Sequence, residues 1–285
     1  KKDTIELKKI FIDKKHQEYF DKRGYIILPY LDDIGLNKIK QKYTFSEYGI
    51  DKPFYISIEI PNTDLRKKIQ KELQEDVLNY STLSSLVPSN FKLFSTSYIS
   101  QSNEIDSGFY MHTDWSFFDQ TTNHPVFMWV PMQTVNKTTN GTMVVVPGSH
   151  KISIPYRGEN IIEHYIQKIA DNFSAYYEYL DIPAGHAVFF NPAIIHGLQP
   201  NTSSQNNISF LSLLCERAAD IIYCYRPRYN IFNYAKVYKV IEMDDYWYVK
   251  NKIKDKSCLK FLKWEKIPNT KLNKEQIKII LDNAK

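Results

Sequence analysis

Tyr110-Met111-His112-Thr113-Asp114-Trp115 is the stretch on which the reading of the fold turns. In an extended chain, residues i and i+2 project from the same face, so His112 and Asp114 can point at one ion while Thr113 points away. Far downstream, a second histidine stands in Pro192-Ala193-Ile194-Ile195-His196-Gly197. The run Ala187-Val188-Phe189-Phe190 ahead of it reads as a buried strand and Asn191-Pro192 as the turn beyond, so the second imidazole need only come from a strand lying opposite the first. Two imidazoles and one carboxylate make a facial set that holds one side of an octahedral ion and leaves the other side open, which suits non-haem Fe(II). A lone His-x-Asp triplet is a weak signal, because a core histidine beside a surface aspartate has the same pattern. The second histidine, in its own strand context, gives the triplet its weight.

Short β-rich runs surround these two segments: Leu93 to Ile99, Phe109 to Phe117, Val126 to Val130, Met143 to Val146, His186 to Phe190 and Ile208 to Leu214. Turn signals at Asn140-Gly141 and Pro147-Gly148 join some of them. The pattern predicts a mainly β fold with flanking helices, whose core is a double-stranded β-helix, the jelly roll that also hosts cupins. Upstream, Leu65, Ile69, Leu73 and Val77 recur every four residues between charged neighbours, which predicts an amphipathic helix capped by Thr63 or Asp64. Glu159 to Asn172 reads as a helical insertion beside the pocket mouth, and Asn273 to Asp282 as a further helix. No repeat or low-complexity linker divides the chain. The expected organisation is one domain over 1–285, with a mainly helical part at 1–90, the jelly-roll core at 91–230 and a basic, partly helical extension at 231–285.

Four segments, in order, carry a resemblance to a known family. Asn140-Gly141-Thr142-Met143-Val144-Val145-Val146-Pro147-Gly148-Ser149-His150-Lys151 resembles the signature segment of the phytanoyl-CoA dioxygenase family of Fe(II)/2-oxoglutarate oxygenases. His112-Thr113-Asp114-Trp115 and His196-Gly197-Leu198-Gln199-Pro200-Asn201-Thr202-Ser203 are similar to that family's ligand segments. Phe20-Asp21-Lys22-Arg23-Gly24-Tyr25-Ile26-Ile27-Leu28-Pro29 resembles its N-terminal entry from helix to strand. The resemblance covers residues 16 to 215. It implies Fe(II) on His112, Asp114 and His196, 2-oxoglutarate as cosubstrate, O2 and a small-molecule substrate.

One position departs from the family. The resemblance calls for an arginine where this chain has Asn207; a guanidinium there would form a bidentate pair with the far carboxylate of 2-oxoglutarate. Asparagine can donate to a carboxylate but cannot neutralise it. Ser209, on the same strand face, matches the small hydroxyl that accompanies the arginine in related oxygenases, and Trp129 stands where the family commonly has a tryptophan near the cosubstrate. Asn207, Ser209 and Trp129 are thus the expected cosubstrate residues, with Lys92, Lys137 and Arg217 as candidate substitute cations. On the substrate side the candidates are Trp115, which follows the metal aspartate, and Arg226 and Arg228 in the aromatic and basic run after the last core strand. Core packing for the tryptophans and a plain barrel rim for the arginines are the competing readings. His150 resembles a residue of the pocket wall.

At 285 residues and 43% hydrophobic residues the chain can bury a substantial core. No run of apolar residues is long enough for a membrane span, and the three cysteines, Cys215, Cys224 and Cys258, lack the spacing of a disulfide framework or zinc site. The expectation is a cytoplasmic protein. The net charge of +5 is concentrated from residue 250 onward, where eleven lysines face Asp255, Glu265, Glu275 and Asp282. That extension could dock a carrier protein, but acidic residues interrupt its lysines, so no nucleic-acid partner is expected. The functional expectation is an Fe(II)/2-oxoglutarate dioxygenase that hydroxylates a small molecule or natural-product intermediate. A non-catalytic or altered-cosubstrate descendant, for which Asn207 speaks, and metal-assisted hydrolysis remain open at this stage.

Overall fold

Strand β5, Val126–Pro131, is apolar and buried along its whole length, as a strand covered on both faces must be. The computed structural model describes residues 9–42, 52–138, 141–161, 173–227, 233–241, 257–267 and 274–285. Within it β5 lies inside a six-stranded sheet whose order is β1 (Tyr25–Pro29), β8 (His186–Phe190), β5, β10 (Asn207–Glu216), β3 (Phe91–Gln101) and β2 (Phe54–Ile56). All neighbours in this sheet are antiparallel. A second sheet of four strands runs β4 (Phe109–His112), β9 (Ile195–Leu198), β6 (Met143–Val146) and β7 (Glu178–Tyr179). Together they form the jelly-roll core.

Alternation of side chains divides the large sheet into two faces. Val126, Met128, Val130, Ala187, Phe189 and Phe210 turn to one side. There they meet Phe20 of α1 (Lys14–Arg23), Ile39 of α2 (Asp33–Lys42), Ile69, Leu73 and Val77 of α3 (Thr63–Tyr80) and Leu83 of the short α4 (Leu83–Leu86). Phe127, Trp129, Val188, Phe190, Ile99 and Leu213 turn to the other side, into the space between the sheets, where Met143 and Val145 of β6 face them. Helix α3 buries Ile69, Leu73 and Val77, the stripe that the periodicity predicts, while Leu65 is 37% exposed. Its cap is Asn62 and not Thr63 or Asp64: the Asn62 side chain accepts from Leu65 N, which satisfies a first-turn amide.

Two expected boundaries move. The run predicted as a strand to Phe117 leaves its sheet at His112. From there Ser116 N donates to Arg157 O, and Ile222 N donates to Phe117 O, so the segment is held by other neighbours. The C-terminal extension is also more than helix. β12 (Tyr234–Val240) joins β11 (Ile222–Tyr225) to β13 (Leu259–Lys266) in a third sheet, and the helix α5 (Lys274–Asp282) follows. Tyr238 and Val240 of this sheet close the inter-sheet core. Of the predicted insertion from Glu159 to Asn172, residues 162–172 lie outside the described residues. Glu159 itself bridges to Tyr225.

Candidate metal centre

Strands β4 and β9 pair so that His112 lies directly opposite His196, with a register irregularity between Phe109 and His112. Cross-strand partners share a face, and the two imidazole centroids are 4.3 Å apart. Asp114 completes the set from just beyond the end of β4. Its Oδ1 lies 3.7 Å from His112 Nε2 and its Oδ2 3.7 Å from His196 Nε2. One ligand atom from each residue falls within 4.8 Å of the others, so the three could hold one ion.

The second nitrogen of each ring fixes the first. His112 Nδ1 lies 2.9 Å from Tyr110 O and His196 Nδ1 3.1 Å from Ile194 O. A carbonyl can only accept, so each Nδ1 carries the proton and each Nε2 presents a lone pair to the centre, as ligand histidines require. Phe109 packs on His112 and Phe190 on His196, at 4.8 Å and 4.7 Å between ring centroids. The backbone of Asp114 is pinned from two sides: its N–H donates to Pro192 O at 2.9 Å, and its carbonyl accepts from Arg157 Nε at 2.7 Å.

The electrostatics suit a cation. Burial, with the neighbouring His112, pushes the His196 imidazole down to about 4, so it is neutral at pH 7. Burial disfavours the Asp114 carboxylate, but His196 and His112 beside it outweigh that cost and hold its pKa below the usual range. Asp114 Oδ2 is buried and accepts no hydrogen bond. An ionised, desolvated oxygen without a donor is unfavourable unless a cation meets it. The side chains of His112, Asp114 and His196 are 21%, 20% and 8% exposed, which leaves one side of the set open for ligands.

Arg157 had no motif to announce it. It is 1% exposed and is lowered by burial to about 10, so it keeps its charge at neutral pH. Besides Asp114 O, its guanidinium donates to Gln120 Oε1 and to Ile154 O.

The expected cosubstrate residues fall on the inner face. Asn207 and Ser209 are buried on β10, in phase with Leu213 of the inter-sheet core, and Trp129 Nε1 donates to Ser209 Oγ at 2.9 Å. Trp129 is 2% exposed, so the packing role and the contact with Ser209 coexist. The candidate substitute cations do not join them. Lys92 and Lys137 are exposed over the rings of Phe94 and Tyr179, and Arg217 donates to Ser89 O on the surface. Trp115 is half-buried 6.4 Å from the Tyr223 ring, whose hydroxyl donates to the Glu159 carboxylate. Arg226 is half-buried, its N–H donating to Glu159 O, and Arg228 lies outside the described residues. His150 packs against the C-cap of α1: its Nε2 donates to Asp21 O at 3.2 Å, and a Cβ on Gly24 would stand 2.3 Å from its Nδ1. It therefore serves the α1 to β1 junction and not the pocket wall.

Fold and site define a jelly-roll protein with a two-histidine, one-carboxylate centre in its smaller sheet. The family described as phytanoyl-CoA dioxygenase (PhyH) matches residues 63–208, and the chain belongs to that family. The peroxisomal phytanoyl-CoA dioxygenase of Bos taurus is 24% identical over 220 residues, covering 66% of this chain and 64% of that protein; the chain thus spans less than two thirds of its relative. Among solved structures, HygX from Streptomyces hygroscopicus, with nickel, 2-oxoglutarate and hygromycin B bound, matches with a TM-score of 0.53 at 14% identity over 73% of this chain and 88% of its own. The 2-oxoglutarate-dependent carbocyclase SnoK from nogalamycin biosynthesis matches with a TM-score of 0.51 at 12% identity over 74% and 86%. These two likenesses establish the fold.

Proposed function

We propose that the chain is a non-haem Fe(II)- and 2-oxoglutarate-dependent dioxygenase that hydroxylates a small molecule or natural-product intermediate. One observation carries the reading: two register-paired histidines turn their Nε2 atoms toward a carboxylate whose buried Oδ2 lacks a donor. Family membership and the ligands of HygX support it. Fe(II) with a chelated 2-oxo acid supplies the activation of O2, in which oxidative decarboxylation to succinate and CO2 accompanies hydroxylation of an unactivated C–H bond.

The protein's part is positioning and exclusion of water. His112, Asp114 and His196 would hold the ion on one side. Phe109 and Phe190 brace the imidazoles, and Pro192 and Arg157 hold the Asp114 backbone, so the ligand geometry is set before anything binds. Trp129 and Ser209 would line the cosubstrate side. Trp115 and Arg226 would face the substrate, with Arg228 the further candidate, and the three cysteines as thiols would suit a cytoplasmic setting. The lysines of the basic extension would offer a docking face to a carrier protein. The intact triad weighs against a non-catalytic role.

The test is O2-dependent succinate release from millimolar 2-oxoglutarate by the Fe(II)-loaded chain, lost in Asp114→Ala. Stoichiometric iron in Asp114→Ala, or no turnover by the loaded wild type, would sink the reading.

A further inference from the structure

The end of the inner face that carries Asn207 is built from uncharged amides. β10 and β3 pair with Asn207 opposite Gln101 and Ser209 opposite Ile99, so Asn207, Gln101 and Ser209 share the face that Ile99 turns to the inter-sheet core. They are 5%, 1% and 3% exposed. A Cβ on Gly141 would stand 3.2 Å from Asn207 Nδ2 and 2.8 Å from Gln199 O. Gln101 Nε2 donates to that same Gln199 carbonyl at 3.2 Å and to Ser107 O at 2.8 Å. The amides of Asn207 and Gln101 therefore belong to one cluster around Gly141.

The orientation of Gln101 is forced. Both of its partners are carbonyls, which only accept, so the nitrogen must face them and Oε1 must face the other way. There Oε1 is buried with no partner. Ser209 Oγ accepts from Trp129, which leaves its own proton to donate. No lysine or arginine enters the cluster among the described residues. The two buried arginines bond elsewhere, Arg66 to Ile60 O and Thr63, and Arg157 to Asp114 O, Gln120 and Ile154 O with its Nη2 left without a partner.

A carboxylate brings acceptors alone. Placed here it would meet no cation and would set its charge against the orphaned Gln101 oxygen, and a buried charge without a partner is strongly disfavoured. A carboxamide brings both kinds of group: its oxygen can accept from Ser209 Oγ, and its NH2 can donate to Gln101 Oε1. We infer that this pocket end takes a 2-oxo acid whose far end is an uncharged hydrogen-bond donor such as a carboxamide, in preference to a carboxylate. The inference rests on the proposed function, since it presumes that a 2-oxo acid chelates the metal of the His112, Asp114 and His196 centre.

Two inert chelators test it, N-oxalylglycine and N-oxalylglycinamide, which differ only in whether the far end is a carboxylate or a carboxamide. Each is titrated calorimetrically into the full chain loaded with Ni(II), so that no turnover is needed. The amide is expected to bind more tightly than the acid; an equal or lower Kd for the acid overturns the inference. Gln101→Met keeps the volume and removes the orphaned acceptor, and should shift the ratio of the two affinities toward the acid by about tenfold. Equal weakening of both, or of neither, also overturns it. Asn207→Arg should swing the preference toward the acid by about tenfold or more, as a charged fork meets a carboxylate. If that variant does not fold, the Gln101→Met comparison stands alone. Failure of both chelators to bind a wild type with stoichiometric metal overturns the functional reading itself, whereas binding of the acid alone overturns only the inference.

Discussion

Asp114 is held at both ends of its own peptide, by Pro192 O on its N–H and by the Arg157 guanidinium on its carbonyl, so the direction of the carboxylate depends on a residue that touches no ligand atom. Arg157→Met is expected to weaken metal affinity by roughly 10–100-fold, the range for partners that orient a ligand from behind. Arg157→Lys, which keeps a charge but not the branched attachment to Asp114, Gln120 and Ile154, should fall between. Competition with a chelator measures both, and affinity unchanged in Arg157→Met would mean that Pro192 alone suffices. Replacing the ligands themselves is a different experiment: His112→Ala and Asp114→Ala should abolish stoichiometric Fe(II) while the circular dichroism spectrum stays native. The ligands were readable in the sequence because their chemistry and their i, i+2 spacing are local. Arg157 and Gln101 were not, since their roles depend on what lies across from them: Arg157 is 43 residues from Asp114, and Gln101 meets Asn207 only through strand pairing.

The end of β10 offers a test at the level of one strand and the loop it anchors. Glu216 Oε2 accepts from His124 N and from Cys215 Sγ, each at 3.0 Å, and Oε1 lies 2.8 Å from His124 Nδ1. Although burial alone would raise it, the contacts with His124 and Cys215 carry the Glu216 carboxyl from 4.5 down to about 2. A carboxyl depressed in the folded state stabilises above its unfolded pKa, and that stability is lost as pH falls through the folded pKa. Glu216→Gln should therefore cost roughly 1.5–3 kcal/mol at pH 7, the scale of hydrogen bonds to a charged group. The difference from wild type should shrink as pH drops below about 4.5 and vanish near pH 2. Urea midpoints at several pH values would show it, and a deficit independent of pH would assign the loss to packing. The strands themselves were legible where alternation or an unbroken apolar run marks them, as in β5, β6 and β8. The early end of β4 was not, because Thr113 to Phe117 still look like a strand and are drawn away by Pro192, Arg157 and Ile222.

Taken over the whole chain, contacts from the C-terminal part brace both the metal-bearing sheet and the loop after it. Lys263 of β13 donates to Asp119 and to the Tyr156 hydroxyl, at 3.1 and 2.9 Å, tying the third sheet to the segment that follows Asp114. Leu281 of α5 is 1% exposed and packs with Val146, Ile152 and Ile195; Ile195 precedes His196 on β9, and Val146 of β6 is the partner of Ile195. Leu281→Ala should cost about 2–5 kcal/mol as a cavity forms. Thermal denaturation checks it, and a loss below the range of an exposed substitution would mean that α5 is only loosely docked. None of this bracing was visible in a lysine-rich tail, because its few apolar residues acquire meaning only from the strands they meet. The pairing of His112 with His196 has a consequence for handling the protein in the laboratory. Slipping β9 by a single position would turn His196 to the opposite face. A refolded or redesigned sample that captures one equivalent of Ni(II) has thereby reported that two distant strands met in native alignment, so metal uptake can serve as a quality assay for correct assembly before any substrate is known.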